Sequence, residues 1–328
     1  MSSATSLQAL QTILPGLFKK YTSGTGSLAA FMALAPINSH KGQNGAYQQM
    51  TTKLGYNAQL GNVGEVSDSA TRGLAPMAFT EVNFTHTKHA TDWIYVDDRV
   101  AEALNAPNPD LDVFSEALEY VEAMMCGYLH VKLEAAIDAL STYGTALDLT
   151  DTTTKLSSFL RTFSDTQALT VGPRQRPNTF GFGPQAYTLI LELDEVREAA
   201  SNIGTVYPTA GVVDSAAFHG QGNPTVAPAV QAVCARAGVT PVLVDESYIN
   251  AAGSDAWIFT TKGFLGHSAA GSRPSCLKTF SPYDALIDVV TGRLNPPALP
   301  GDAYLVRSEY ALETVDTNLG KEVTLTLS

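Results

Sequence analysis

Gly266-His267-Ser268-Ala269-Ala270 follows an apolar, strand-like run from Trp257 to Leu265, the form of an elbow that lifts a serine nucleophile above a sheet. In that arrangement the activating histidine comes later in the chain. His267 is the last histidine, however, and the helix expected after the elbow is interrupted by Gly271 and Pro274. The run GTGSLA, Gly24 to Ala29, spells part of a dinucleotide fingerprint, but no acid follows about twenty residues on and no strand precedes it. It reads as a bend. His86 and His89 share a β-patterned stretch in which positions three apart leave opposite faces, so they suit a surface or interface better than a metal. Asp97 and Asp98 beside Arg99 fit a solvated turn, an intersubunit pair or a cation. Cys126, Cys234 and Cys276 are isolated and without CxxC spacing, which argues against a disulfide framework and a structural zinc. Cys126, among Met124, Met125 and Tyr128, reads as core packing. No catalytic, cofactor-binding or metal-binding set emerges.

Charge is distributed more informatively. The first 64 residues contain no aspartate or glutamate, only Lys19, Lys20, Lys41 and Lys53, in a chain of net charge −12. An acid-free leader on an acidic body implies that the leader lies against an acidic surface, which a neighbouring copy would supply. The leader also lacks the means to fold alone. Its amphipathic run, Leu7, Leu10, Ile13, Leu14, Leu17 and Phe18, is interrupted by Pro15 and Gly16, and a helix of that length is marginal in water. The polar stretch that follows scatters Tyr47, Met50, Leu54, Tyr56 and Leu60 too thinly for a core.

Composition excludes several classes. A mean hydropathy of +0.01 and 16% charged residues describe a soluble globular chain with ample length for a core. No run approaches the roughly 20 apolar residues of a membrane span, and Leu7 to Leu17 is too polar for a signal segment, so the chain reads as intracellular when made. A pI of 4.9 and the absence of basic clusters beyond the leader exclude a nucleic-acid reader.

The elements that would position any site begin with a helix predicted over 111–142. The run NAPNPD stops the preceding chain and offers Asn108 or Asp110 as a cap. Phe114, Leu118, Val121, Met125, Leu129, Leu133, Ile137 and Leu140 then fall at steps of three and four on one stripe. Asp112, Glu116, Glu119 and Glu122 crowd its first half with no Lys or Arg within a turn, so these acids need water or outside cations. Upstream, β alternation around Phe79, Val82, Phe84, Trp93, Tyr95 and Val96 makes 22–90 an extended excursion. Downstream the pattern predicts a helix from about Pro184, a helix ending at Gly238, strand Val242 to Val244, a single strand AWIFTTKGFLG, and two late strands meeting near Asn318 and Gly320.

Taken in order, the arm, RGLAPMAFTEVNFTHTKHATDWIYVDDRV, EALEYVEAMMCGYLHVKLEAAIDAL, RPNTF before GPQAY, VTPVLVDESYIN before DAWIFTTKGFLGH, and a final strand pair resemble the major capsid proteins of tailed bacteriophages. That family has the Hong Kong 97-type fold, which encapsulins share. The resemblance implies an α+β subunit with an N-terminal arm at 1–26, an extended loop at 27–90, an axial domain at 161–271, and a peripheral domain formed by 91–160 and 272–328 around the spine helix. It implies a structural subunit, without cofactor, that assembles as hexamers and pentamers into an icosahedral head shell enclosing double-stranded DNA without sequence-specific binding. Portal and scaffolding proteins, and in some shells a decoration protein, would be its partners. Its place would be the virion capsid, assembled in the host cytoplasm. Some members carry scaffold-like sequence ahead of the arm, and its absence here implies a separate scaffolding protein or none. An encapsulin-type compartment is the alternative, with an α/β hydrolase using Ser268 a remote one. Candidate intersubunit contacts are Leu7, Leu10, Leu14, Leu17, Phe18, Lys19 and Lys20 on the arm, Lys41 and Lys53 on the loop, and Glu116, Glu119 and Glu122 on the helix. Loops such as 211–225 would meet at the symmetry axes.

Overall fold

The apolar stripe from Phe114 onward folds as one unbroken helix, Val113–Asp138, and Gly127 does not interrupt it. In the computed structural model it ends about one turn short of the expected 142. Leu140 N–H already bonds back to Ile137 O in a tightened last turn, and Ser141 and Tyr143 then take backbone partners on Glu322. The chain leaves the helix because a strand offers those backbone groups better-aligned partners. The structure describes residues 27–50, 79–99, 102, 113–171, 175–206, 226–245, 247–249, 255–283, 286–294 and 301–328. The expected arm at 1–26 and the loop 211–225 lie outside them.

Two sheets organise the body. The first is built on the long strand β14, Gly301–Thr314, which pairs antiparallel with β13, Asp288–Leu294, and β12, Leu277–Ser281. The short strands β4, Thr87–Ala90, and β5, Ile94–Asp97, pair with successive parts of the same strand. The second sheet runs in the order β6, Leu147–Asp148; β15, Gly320–Thr326; β11, Lys262–Gly266; β7, Thr179–Phe182; and β8, Thr240–Leu243. The two late strands therefore do not pair with each other: β14 belongs to one sheet and β15 to the other.

Each sheet carries a core. The long helix lays Met125, Leu129, Leu133 and Ile137 against Val306 and Tyr310 of β14, with Phe264, Leu277 and Leu319 completing the cluster. A second cluster joins Phe180 and Phe182 of β7 and Val323 and Leu325 of β15 to the helices Leu156–Val171, Pro184–Glu192, Asp194–Val206 and Pro228–Ala235. Consecutive residues of a strand point to opposite faces, and β11 uses this directly: Phe264 enters the first core and Leu265 the second.

Three expectations change. GTGSLA does not end in a bend, because Ser27–Leu34 is a helix with Leu28, Phe31 and Leu34 buried in the first core. β1, Ile37–Ser39, then pairs parallel with β12, so 27–39, placed in the extended loop from sequence, belongs to the packed body. The run AWIFTTKGFLG is two strands, with β10 over Asp255–Trp257 separated from β11 by a turn in which Phe259 takes φ +58°. A left-handed conformation is costly for a bulky residue. Glu134 of the long helix holds it, its carboxylate accepting the Phe259 N–H at 3.1 Å, although burial raises that carboxyl's pKa.

The long helix sets the first stability test. Leu129 is fully buried in the helix–β14 contact, and Leu129→Ala should destabilise the chain by about 2 to 5 kcal/mol, read as a shift of the denaturant midpoint.

Candidate assembly interface

The described ends of the excursion pair as a hairpin. β2, Asn44–Met50, pairs antiparallel with β3, Phe79–Thr85, in continuous register from Asn44 opposite Thr85 to Met50 opposite Phe79. The period of two puts Gly45, Tyr47 and Gln49 on one face with Phe84, since Phe84 stands opposite Gly45. Only glycine fits there: a β-carbon on Gly45 would lie 2.4 Å from Phe84 Cζ. The freed space lets the Phe84 ring stack on Phe280 of β12 with centroids 3.9 Å apart and planes 5° from parallel. Tyr47 packs on the same ring at 5.4 Å. Tyr47, judged from sequence too isolated for a core, is part of a small one.

Polar contacts clamp the root on the same face. The Gln49 amide is buried and bonded reciprocally to Ser275, accepting its N–H at 3.2 Å and donating to its carbonyl at 3.5 Å. Tyr47 hydroxyl donates to Arg273 O at 3.4 Å. Lys278 of β12 is fully buried, its Nζ lying 5.0 Å from the Tyr47 ring centroid and donating to Ala269 O and Gly271 O. Desolvation pushes its pKa down to about 8, so it still carries its charge at neutral pH. The hairpin is thus fastened to the body at both of its strands.

His86 closes the hairpin, its N–H donating to Gln43 O at 2.9 Å. Its ring is buried between Phe84 and His40, with ring centroids 5.4 and 6.0 Å away, and neither ring nitrogen has a hydrogen-bond partner among the described residues. The expected surface role is therefore wrong for His86: the hairpin folds it inward. His89 stays half-buried and is hydrogen-bonded to Tyr128 of the long helix at 3.0 Å. Asp97 forms a local turn, its carboxylate accepting the Arg99 N–H.

Of the proposed contact residues, Lys41 is exposed immediately before the hairpin. Glu116, Glu119 and Glu122 lie on the first half of the long helix, as expected from the sequence. Leu7, Leu10, Leu14, Leu17, Phe18, Lys19, Lys20 and Lys53 lie outside the described residues. The structure leaves Trp93, Met124, Leu169, Trp257 and Tyr283 as exposed apolar side chains. Hydropathy alone does not separate them from the buried apolar residues of the same runs, because exposure is set by neighbours distant in sequence.

The serine elbow does not form. Ser268 Oγ donates to Ala33 O at 2.6 Å, its N–H is held by Asn178 Oδ1, and no helix follows. His267 Nδ1 donates to Arg176 O at 2.8 Å. The Cys234 thiol is pushed up to about 12 by burial and Cys276 is raised further, so neither offers a thiolate nucleophile at neutral pH.

Neither protein-family models nor curated proteins give a match to this chain. Solved structures do. A phage-related protein of Bordetella bronchiseptica is similar at a TM-score of 0.58 and 13% identity, covering 95% of this chain and 96% of that one. The capsid of Myoviridae phage XM1 is similar at 0.50 and 8% identity, covering 91% and 92%. These two likenesses give the chain a Hong Kong 97-type capsid fold. An encapsulin of Synechococcus elongatus is similar at 0.47 and 12% identity, covering 91% and 88%.

The buried histidine makes the root pH-sensitive. Burial, then His40, lowers the His86 pKa below 6.5, with Glu309 opposing. A depressed histidine binds fewer protons folded than unfolded, so its contribution is complete above about 6.5 and is lost as pH falls from there through the folded value. His89 and His267 are lowered too, also chiefly by burial, and act in the same direction. Denaturant midpoints should fall between pH 7.5 and 5.5, and His86→Phe should flatten that fall. An equal slope in the variant would place the sensitivity elsewhere.

Proposed function

We propose that this chain is the major capsid protein of a tailed bacteriophage, a structural subunit that closes into an icosahedral head shell around double-stranded DNA. The observation that carries the reading is a capsid-type body combined with a hairpin fastened to that body through both of its strands. A loop tied to a neighbour transmits force between subunits only if its base is rigid. No cofactor and no chemistry are needed for that work, and the acidic composition would limit adhesion of packaged DNA.

In this reading residues 1–26 are an arm, and the excursion within 27–90 is the loop that lies over a neighbour, starting beyond Ser39. Residues 91–160 with 272–328 form the peripheral domain, and 161–271 form the axial domain at fivefold and sixfold centres. Hexamers and pentamers of the chain are the assembly units, with portal, scaffolding and decoration proteins as further partners. Assembly takes place in the host cytoplasm and the mature protein resides in the virion. Electron microscopy of the purified full chain should show closed icosahedral shells. Failure to assemble, alone and with the other head proteins co-expressed, would refute the reading. Uniform shells holding a protein cargo, with neither portal nor DNA, would assign an encapsulin-type compartment instead.

The arm and loop lysines, Lys19, Lys20, Lys41 and Lys53, would face carboxylates of adjacent copies, with Glu116, Glu119 and Glu122 as partners. Exposed ion pairs are worth only about 0 to 1 kcal/mol each, whereas a buried leucine is worth about 1.5 to 3. The apolar arm residues should therefore dominate. Deleting residues 1–21 should abolish shells, while Lys19→Glu with Lys20→Glu should weaken assembly and make it salt-sensitive. Light scattering against ionic strength reads both, and normal shells from the truncated chain would remove the arm from the mechanism.

A further inference from the structure

The linker between β11 and β12 borders a recess of about 830 Å³, lined by Gln175, Asn178, His267, Ser268, Arg273 and the small or cyclic residues at 269–271 and 274. No lining residue is an acid, in a chain with 32 acids against 20 Lys and Arg. The nearby Asp165 is already engaged by Arg176 at 3.3 Å and Arg161 at 3.9 Å. Arg273 is exposed at the rim and makes no ion pair among the described residues.

Behind this wall sits the ammonium of Lys278. It donates to Ala269 O and Gly271 O, the carbonyls of the recess's own loop, so the loop is wrapped around a buried cation. Glu313 stands opposite Lys278 in the strand register, yet no carboxylate lies within ion-pair distance of its Nζ among the described residues. Carbonyl dipoles and the Tyr47 ring only partly replace the lost hydration of a buried charge. His267 commits Nδ1 to Arg176 O, leaving Nε2 without a protein partner among the described residues. A concave, acid-free, cation-backed wall with a free guanidinium at its edge favours a compact anion, for which guanidinium offers paired donors.

We propose that this recess is an oxyanion site, binding one phosphate or carboxylate group through Arg273, Gln175 and His267 with the Lys278 charge behind it. The residues of the site all belong to one subunit, so its formation does not depend on assembly. Its anion is either free phosphate or a carboxylate presented by a second copy, and two probes separate these sources.

The test is calorimetric titration of the unassembled full chain with inorganic phosphate, and separately with acetate, at constant ionic strength. Saturable binding of one phosphate per chain is expected. Arg273→Ala should weaken it by about tenfold or more, a difference of about 1.4 kcal/mol. Lys278→Met should abolish it, and the remote surface change Lys88→Ala should leave it unchanged. Arg273 is exposed, so its variant should fold even if the Lys278 variant does not. Phosphate binding without acetate binding assigns the free anion, and binding of both assigns a carboxylate source as well. No saturable binding of either probe, or equal binding by wild type and Arg273→Ala, overturns the proposal. Because the chain is unassembled in this test, that result leaves the shell reading standing, and shells that fail to form leave the anion site standing.

Discussion

Burial of one helical stripe against one strand underlies the rest of the molecule. Leu129, Leu133 and Ile137 exclude water from Val306 and Tyr310 of β14, and every other strand of the first sheet reaches the body through β14 or through its neighbour β12. The helix in turn supports features far from it in sequence. Glu134 holds the left-handed Phe259, and Asp138 pairs with Lys262 at 2.8 Å, so the helix also sets the start of β11. Loosening the stripe would release both sheets, because β11 contributes to both cores.

That division on β11 explains how one chain builds two cores without a hinge between them. Phe264 and Leu265 are adjacent residues on opposite faces, so neither core can shift along the strand without displacing the other. Close approach of backbones tightens the joint. A β-carbon on Gly320 would meet Cys276 Sγ at 2.6 Å, and one on Gly263 would meet Gly181 O at 2.8 Å.

The hairpin root shows how polar and aromatic groups divide the fastening. Phe84 and Phe280 supply area, Gln49 and Ser275 supply direction, and Lys278 supplies a charge that orders the adjacent loop. A buried amide and a buried ammonium tolerate few alternative arrangements, since an unpaired polar group in such a site costs about 1 to 3 kcal/mol or more. The root therefore has one geometry. The same polar groups that fix the hairpin also shape the recess beside it.

The sequence by itself determined what local periodicity and backbone chemistry can specify. The stripe from Phe114 to Ile137 dictated the long helix, proline at 184 its helix start, and Gly238, at φ +73°, the turn after the helix Pro228–Ala235. The order of these elements already resembles that of a capsid protein, and the acid-free leader was legible as a plain count. Tertiary structure decided whatever depends on partners distant in the chain. Ser27–Leu34 has no polar face and reads as an unremarkable apolar run until a core receives it. Tyr47 and Phe84 become a core only when Phe280 arrives from far along the sequence. The interruption of AWIFTTKGFLG needs Glu134, and the inward turn of His86 needs the hairpin register. The recess likewise brings Gln175 against His267 and Arg273 of the β11–β12 linker, around a lysine whose burial no local pattern encodes. Helix and turn signals act within a few residues, whereas packing and desolvation are set by neighbours that only the completed fold supplies.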